Sequence, residues 1–476
     1  MLETGVRQVR MAMGMVFGRR LSTNNLGKLV DDAIATLAEF GEPGADAQVL
    51  LGGPLPDPEE QREFIRRGLR RTARRLTAKS PFYARRLAAA GTAPRELDAE
   101  TLRAIPVTNK RDLVERPEDF LCADAVRYLS TRTTGTTGKP AEVWLSRYEL
   151  DLWSALAAIA ALIRDELRPT DTWQVNVSSR AIAANHLAAA TCRLTRTGCR
   201  LMGIMAPDDA LDNLTEGGAT ILSTYPSYLA ELVVAARRRG MSAGDFKLRR
   251  VMVGSEVFSP SLSDAACKLF GVPQIQDSFS MTEVIPVSAS TCEQRHAHHD
   301  VTTGHTELLD LRTGEPAAPG ALGTLVITPF FPFRECMPVL RYDTRDVARR
   351  LADETLTCDQ AGSPATSQIL GKADSLIKLG DSVIAPRELV DVIESLPTEP
   401  WPARYSAASV DGRLQITLPV SAIDGFGEAA AQRHFEAAGL DADLVIVGND
   451  QAISLRRLRA DLHETSFAAP HALVGA

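Results

Sequence analysis

The chain has 476 residues, 45% of them hydrophobic and 24% charged, with 60 acidic against 53 basic side chains and a formal net charge of −7. That length exceeds what one hydrophobic core usually serves, so at least two domains are expected. The acidic balance argues against nucleic acid or an anionic membrane surface as partner and leaves small molecules.

Residues 1–20 carry Glu3, Arg7 and Arg10 and lack the apolar run of a secretory signal, and no later window is apolar for long enough to span a bilayer. A soluble, cytoplasmic protein is expected. Seven scattered cysteines fit reduced thiols, with metal ligation open to a subset.

Between Pro58 and Gly91, apolar residues from Phe64 to Leu87 recur near helical spacing among many arginines, which predicts a cationic amphipathic helix pair with a solvated basic face. Ile105-Pro106-Val107-Thr108 is extended and turns into a helix capped by Thr108 or Asn109.

The segment Ser130 to Pro140 packs six hydroxyl side chains and two glycines before Lys139. Glycines let backbone N–H groups approach an anion, hydroxyls donate to phosphate oxygens, and the lysine adds charge. A P-loop is excluded by spacing, because Thr133 stands where it needs glycine and Pro140 where it needs a hydroxyl. The competing reading is a threonine-rich surface loop.

Strands expected at 173–177, 200–205, 219–223, 250–253 and 273–277 alternate with helices near 182–196, 226–239 and 260–270, an α/β pattern with largely parallel sheets. From Gly304 to Arg349 the pattern turns to hairpins, including strands at 323–329 and 339–342. Past Gly371 comes a small α+β unit with a hairpin turning at Asp411-Gly412, a helix near 426–438 and a strand at 444–447. The expected architecture is a large N-terminal domain, 1–370, of α/β subdomains plus a β-rich subdomain, followed by a small mobile α+β lid, 371–476.

Downstream of the phosphate loop stand Gly254-Ser255-Glu256, Asp277-Ser278-Phe279-Ser280-Met281-Thr282-Glu283, Arg341-Tyr342-Asp343-Thr344-Arg345-Asp346, and Gly371-Lys372-Ala373-Asp374-Ser375-Leu376-Ile377-Lys378. In that order they resemble the adenylate-forming superfamily, and Ile105 to Thr108 ahead of the loop is most similar to its phenylacetate-CoA ligase-like branch, across roughly residues 60 to 395. The resemblance implies ATP and Mg²⁺, with Thr133, Thr134, Gly135, Thr136, Thr137, Gly138 and Lys139 holding the β- and γ-phosphates while an acid attacks the α-phosphate. It implies that Thr282 bonds the α-phosphate, Glu283 holds Mg²⁺, Asp346 accepts the ribose hydroxyls, and the segments 254–256 and 277–281 with Lys372 complete the nucleotide site. Asp374 is placed at the hinge of the lid.

For the acid, Trp173 and Tyr225 fall in segments that line the substrate cavity of relatives and suit an aryl group, Phe279 is a further substrate candidate beside the adenine, and His186, at the start of a helix, is a candidate contact to a ring substituent, with a capping role as the alternative. Cys292, His298, Cys336 and Cys358 are candidate zinc ligands, since some members of the branch carry a structural zinc in this region; buried cysteines beside a histidine-rich loop are the alternative.

The chain departs from the family in four places, one of them Lys372, where the hinge motif usually has arginine. Phe279-Ser280 replace Tyr-Gly, Arg345 stands where glycine is usual before the ribose-binding aspartate, and no lysine follows Lys378, although relatives place a charge-neutralising lysine near the C-terminus. Arg456, Arg457 and Arg459 are the nearest substitutes, with Arg457 the catalytic candidate. The expected activity is adenylation of an aryl or related acid with transfer to CoA or an amine. The alternatives are a diazotase that activates nitrite for an aryl amine, and a catalytically degenerate nucleotide binder. A homodimer is expected from the branch.

Overall fold

A computed structural model describes residues 2–17, 19–41, 57–133, 140–352, 356–358 and 360–449. Thr134 to Lys139 and the arginines 456, 457 and 459 lie outside the described residues.

A hairpin of β1 (Leu129–Arg132) and β2 (Glu142–Leu145) frames the threonine-rich segment. Next come β3 (Thr172–Asn176), β4 (Gly198–Leu201), β5 (Ile221–Thr224), β6 (Arg250–Gly254) and β7 (Ile275–Ser280), all parallel and ordered β4-β3-β5-β6-β7. The crossover helices Ile182–Thr195, Pro207–Glu216, Pro226–Arg238 and Pro260–Phe270 make this a doubly wound sheet, whose strand order reverses at β3. Strands β8 (Ser288–Thr291) and β9 (His296–His299) extend it antiparallel.

A second, four-stranded sheet uses β10 (Gly304–Asp310), β11 (Leu322–Pro329) and β12 (Tyr342–Arg349). The strand β13 (Ala365–Ser367) returns to the edge of the large sheet, and β14 (Gly371–Lys372) pairs with β12. The apolar run 339–342, expected as a strand, is instead a buried approach to one. Val339 and Leu340 are almost wholly buried, Arg341 takes φ 49°, and the strand proper begins at Tyr342. Polar YDTRDVAR gave no alternation to mark it. The helix Pro207–Glu216 was likewise not expected.

The C-terminal unit has its own core, in which Leu389, Ile393, Leu414, Ile416 and Phe435 are fully buried or nearly so. It holds the hairpin β15 (Ile377–Leu379)/β16 (Ser382–Ile384) and the sheet β17 (Ser406–Val410), β18 (Arg413–Pro419) and β19 (Ala442–Val447). Asp411 and Gly412 both take positive φ, the geometry that a two-residue hairpin turn requires. Among the described residues no helix is long and apolar enough to cross a membrane.

Candidate active site

Open parallel sheets bind ligands beyond the carboxyl ends of their strands, at the point where strand order reverses. Here Ser178 follows β3 and Tyr225 follows β5, and the Ser178 N–H donates to the Tyr225 hydroxyl at 3.0 Å across that point. A cavity of about 470 Å³ opens there and runs along the ends of β6 and β7 towards the C-terminal unit.

Its wall includes Thr133, Ser255, Glu256, the run Asp277 to Glu283, Asp346 and Lys372, so residues far apart along the chain converge on one space. Gly254 stands just behind. A Cβ there would lie 2.7 Å from the Ser278 carbonyl oxygen, so the glycine lets β6 and β7 approach closely rather than facing the cavity. Ser255 holds φ 71°, a left-handed conformation that is costly for serine and turns the chain at the cavity's edge. The Glu256 carboxylate accepts from the Ser227 N–H at 2.8 Å, tying this turn to the helix Pro226–Arg238.

Asp346 and Glu283 are buried carboxylates on this wall. Asp346 is 7% exposed, and its Oδ2 accepts from Lys372 Nζ at 2.8 Å, while the same ammonium donates to the Thr344 carbonyl at 3.0 Å. Burial raises the Asp346 carboxyl above the ordinary carboxylate range, and Lys372 opposes the rise. Glu283, 3% exposed, accepts from the Tyr342 hydroxyl at 3.3 Å. Burial pushes it up as well, against the pull of Lys110 and Lys372.

Lys110 is the residue that sequence reasoning missed. Thr108 N–H donates to the Arg341 carbonyl at 2.7 Å, the Thr108 hydroxyl to the Leu340 carbonyl at 2.7 Å, and the Asp343 N–H to the Thr108 carbonyl at 2.8 Å. These bonds pin the start of the helix Lys110–Glu115 against β12, with Asn109 and Asp112 forming its capping box. Lys110 therefore reaches the same cavity wall as Glu283 and Lys372, and burial holds its ammonium below the ordinary lysine value. The lysine directly after the expected helix cap was the available signal.

Arg345, in place of the family's glycine, takes φ 60°, the left-handed conformation glycine adopts freely. Its guanidinium pairs with Asp374 at 2.6 Å, joining β12 to the segment leading into the C-terminal unit.

Of the four aryl-pocket candidates, Tyr225 and Phe279 line the cavity. Trp173 does not. Its indole N–H donates to Ser223 Oγ at 2.8 Å and its ring packs with Ala161, Leu167 and Ile221 elsewhere on the sheet. His186 does not line it either, because helical spacing turns Ala183 and Ala184 to that side.

Beside this wall, the β8–β9 hairpin brings together Cys292, His296, His298 and Cys358, whose ligand atoms all lie within 4.8 Å of one another. Three of the four are buried, and Cys358 Sγ is 3.2 Å from His298 Nε2. Cys336, grouped with them from the sequence, sits in a different core. Its N–H donates to Glu149 Oε1 at 3.0 Å and its carbonyl accepts from the Cys122 N–H at 2.9 Å. His296 takes the fourth corner instead, two residues from His298 on the same strand and hence on the same face.

The doubly wound sheet carries this cavity at its strand ends, with the buried carboxylates of Asp346 and Glu283 and the ammonium groups of Lys110 and Lys372 on one wall. The chain belongs to the AMP-binding enzyme family, whose sequence model matches residues 69–329. It falls in the phenylacetate-CoA ligase-like branch: it is 26% identical over 349 residues to phenylacetate-coenzyme A ligase of Thermus thermophilus, covering 71% of this chain and 76% of that one. It is 24% identical over 326 residues to the ligase of the same name from Pseudomonas putida, covering 66% and 71%. The fold is similar to that of 2-hydroxyisobutyryl-CoA ligase in its postadenylation state, with a TM-score of 0.72, 19% identity, and coverage of 90% of this chain and 96% of that one.

Proposed function

We propose that this protein activates a small aryl or related carboxylic acid with ATP, releases pyrophosphate, and passes the acyl adenylate to CoA. The observation that carries this reading is the convergence of Thr282, Glu283, Asp346, Lys372 and Lys110 on one cavity that also meets Thr133, the first residue of the threonine-rich loop. Attack of a carboxylate oxygen on the α-phosphorus places two anions in contact and concentrates charge on the phosphoryl oxygens, so preorganised donors and cations at that point supply most of the catalysis.

In this reading Asp346, oriented by Lys372, accepts the ribose hydroxyls, and Phe279 and Tyr225 give flat apolar surface to the adenine and the acyl group. Thr282 donates to the α-phosphate, and Lys110 supplies the positive charge that the lysine-free sequence after Lys378 does not. Glu283 is a fitting Mg²⁺ ligand, a buried carboxylate oriented by the Tyr342 hydroxyl, and the cation when bound would neutralise phosphate charge. The segment 134–139 and Arg457 keep their proposed roles as phosphate grip and cationic substitute; both lie outside the described residues. Residues 1–370 and 371–476 would act as body and lid, with Asp374, held by Arg345, at the hinge.

The cluster Cys292, His296, His298 and Cys358 fits a structural zinc ion. Two thiolates and two imidazoles are the softer donors that zinc prefers, and all four corners are supplied by protein, leaving no position for catalysis. The ion would crosslink the β8–β9 hairpin to the chain near Cys358, next to Thr291 and Ala297 of the cavity wall.

The second reading, drawn from the resemblance, is activation of nitrite and its capture by an aryl amine. Pyrophosphate release with a panel of aryl and aliphatic acids, with and without CoA, and with nitrite plus aryl amines, tests both. Acid-dependent pyrophosphate and a CoA thioester by mass spectrometry are expected. Release with nitrite alone would favour the second reading, and no release under any condition would sink both.

A further inference from the structure

A chain of hydrogen bonds that the chemistry above does not use ends on Asp277. This carboxylate stands two residues before Phe279 on β7, so both side chains leave the strand on the same face, towards the cavity they line. Gln368 follows β13, is 7% exposed, and donates its Nε2 to Asp277 Oδ2 at 3.1 Å. The Thr291 hydroxyl donates to the same oxygen at 3.5 Å. Among the described residues no hydrogen bond falls on Oδ1, the oxygen left to the cavity.

Two arginines decide how the Gln368 amide is turned. Arg295 Nε, from the turn between β8 and β9, donates to Gln368 Oε1 at 3.1 Å, and Arg387 Nη1, from the first turn of the helix Pro386–Glu394, donates to it at 3.3 Å. A guanidinium has donors and no acceptor, so what it meets must be the amide oxygen, and the amide nitrogen is thereby aimed at Asp277. The arginines are themselves anchored. Each donates to the Phe258 carbonyl at 2.9 Å, and Arg387 Nε donates to the Ile369 carbonyl at 2.7 Å. Burial raises the Asp277 carboxyl above the ordinary range, and Arg387 and Arg295 oppose the rise.

We propose that Gln368 is a positioning residue for nucleobase recognition: its amide N–H, aimed by Arg295 and Arg387, occupies Asp277 Oδ2 and leaves Oδ1 to accept from the amino group of an adenine lying on Phe279. The inference rests on the nucleotide reading of this cavity and adds what selects the base. A carboxylate offers only acceptors, so it takes an amino group and repels the carbonyl oxygen that hypoxanthine or guanine carries at the same position.

The test is the binding of AMP and IMP to the full chain by isothermal titration calorimetry, which needs no turnover. The parent should prefer AMP by on the order of tenfold or more, the worth of a hydrogen bond to a charged group. Gln368→Met should weaken AMP by about threefold to tenfold, since both arginines keep their backbone acceptors and only the carboxylate is freed to turn. Asp277→Asn separates positioning from simple damage. With Gln368 in place, the oxygen of the introduced amide stays on the Gln368 N–H and its NH₂ faces the base, so the preference should reverse to IMP. In the double variant, Asp277→Asn with Gln368→Met, the amide is free to turn its oxygen to the base, and AMP should bind about threefold or more tighter than to Asp277→Asn alone. A loss of AMP affinity from Gln368→Met in both backgrounds would overturn the positioning role, as would a parent with no preference between AMP and IMP. The reversal and its rescue without any acid-dependent pyrophosphate release would sink the ligase reading and leave this inference standing, whereas a parent that binds neither nucleotide would sink both.

Discussion

Replacing Lys110 by methionine keeps the aliphatic stem and removes the ammonium from a wall it shares with Glu283 and Lys372. A positioned group acting on developing oxyanion charge is worth about 10²- to 10³-fold in rate, or ~2.7–4 kcal/mol. Lys372 stands on the same wall and shares that charge, so the lower end is expected: a fall of about 10²-fold in kcat for acid-dependent pyrophosphate release. Stability should hold, because the ammonium is half-desolvated and its removal strands no directly bonded partner among the described residues. The pH profile carries the sign. Burial lowers the Lys110 pKa, so the ammonium is lost sooner on the alkaline side than an ordinary lysine would be, and activity should decline as pH rises through that lowered value. Lys110→Arg, always charged, should move that decline upward. A Lys110→Met enzyme within about threefold of the parent, with the same alkaline limb, would refute the assignment and return the role to the C-terminal arginines.

Asp346→Asn keeps the shape and removes the charged acceptor; the KM for ATP should rise about tenfold with the KM for the acid little changed, as steady-state kinetics would show. Glu394, buried beneath Ser259 and Ala403, is pushed up to about 7 by burial, from an ordinary value of 4.5. A raised carboxyl contributes stability that is complete below 4.5 and is lost as pH rises through about 7, a change of about 3 kcal/mol. Thermal melting should accordingly show a midpoint that falls across this window, and Glu394→Gln should flatten the fall; a profile unchanged in the variant would show that the carboxylate stays charged. Elemental analysis should find one zinc per chain, lost in Cys292→Ser or Cys358→Ser with a lower melting midpoint and kept in Cys336→Ser. Zinc lost equally in the Cys336 variant would contradict the placement of that residue.

Apart from the helix Pro207–Glu216, the alternation of strand and helix from 172 to 280 was legible because buried parallel strands are short apolar runs and their crossover helices are amphipathic, two signals with different periods. β12 was not, because its polar sequence takes its place from β11 and β14 on either side rather than from its own pattern. Asp346, Glu283 and Lys372 were named from local motifs. Their distances could not be, because β7, β12 and β14 belong to two sheets whose packing brings the residues together.

The same division holds for the residues that were misassigned. Trp173 and His186 lie in cavity-lining segments, but which way a side chain faces depends on strand parity and helix phase, and these placed Trp173 on Ser223 and turned Ala183 inward. Cys336 shared only its element type with the other ligands; the fold set it beside Cys122 and put His296 in the cluster. The sequence by itself determined an anion-binding composition and, through the order of its motifs, a resemblance to the adenylate-forming superfamily that implies the class of chemistry. Only the tertiary structure decided which of them meet, because a cavity between two sheets is built from strand ends that are distant along the chain, and Lys110 entered it through backbone bonds to β12 that no local pattern announces.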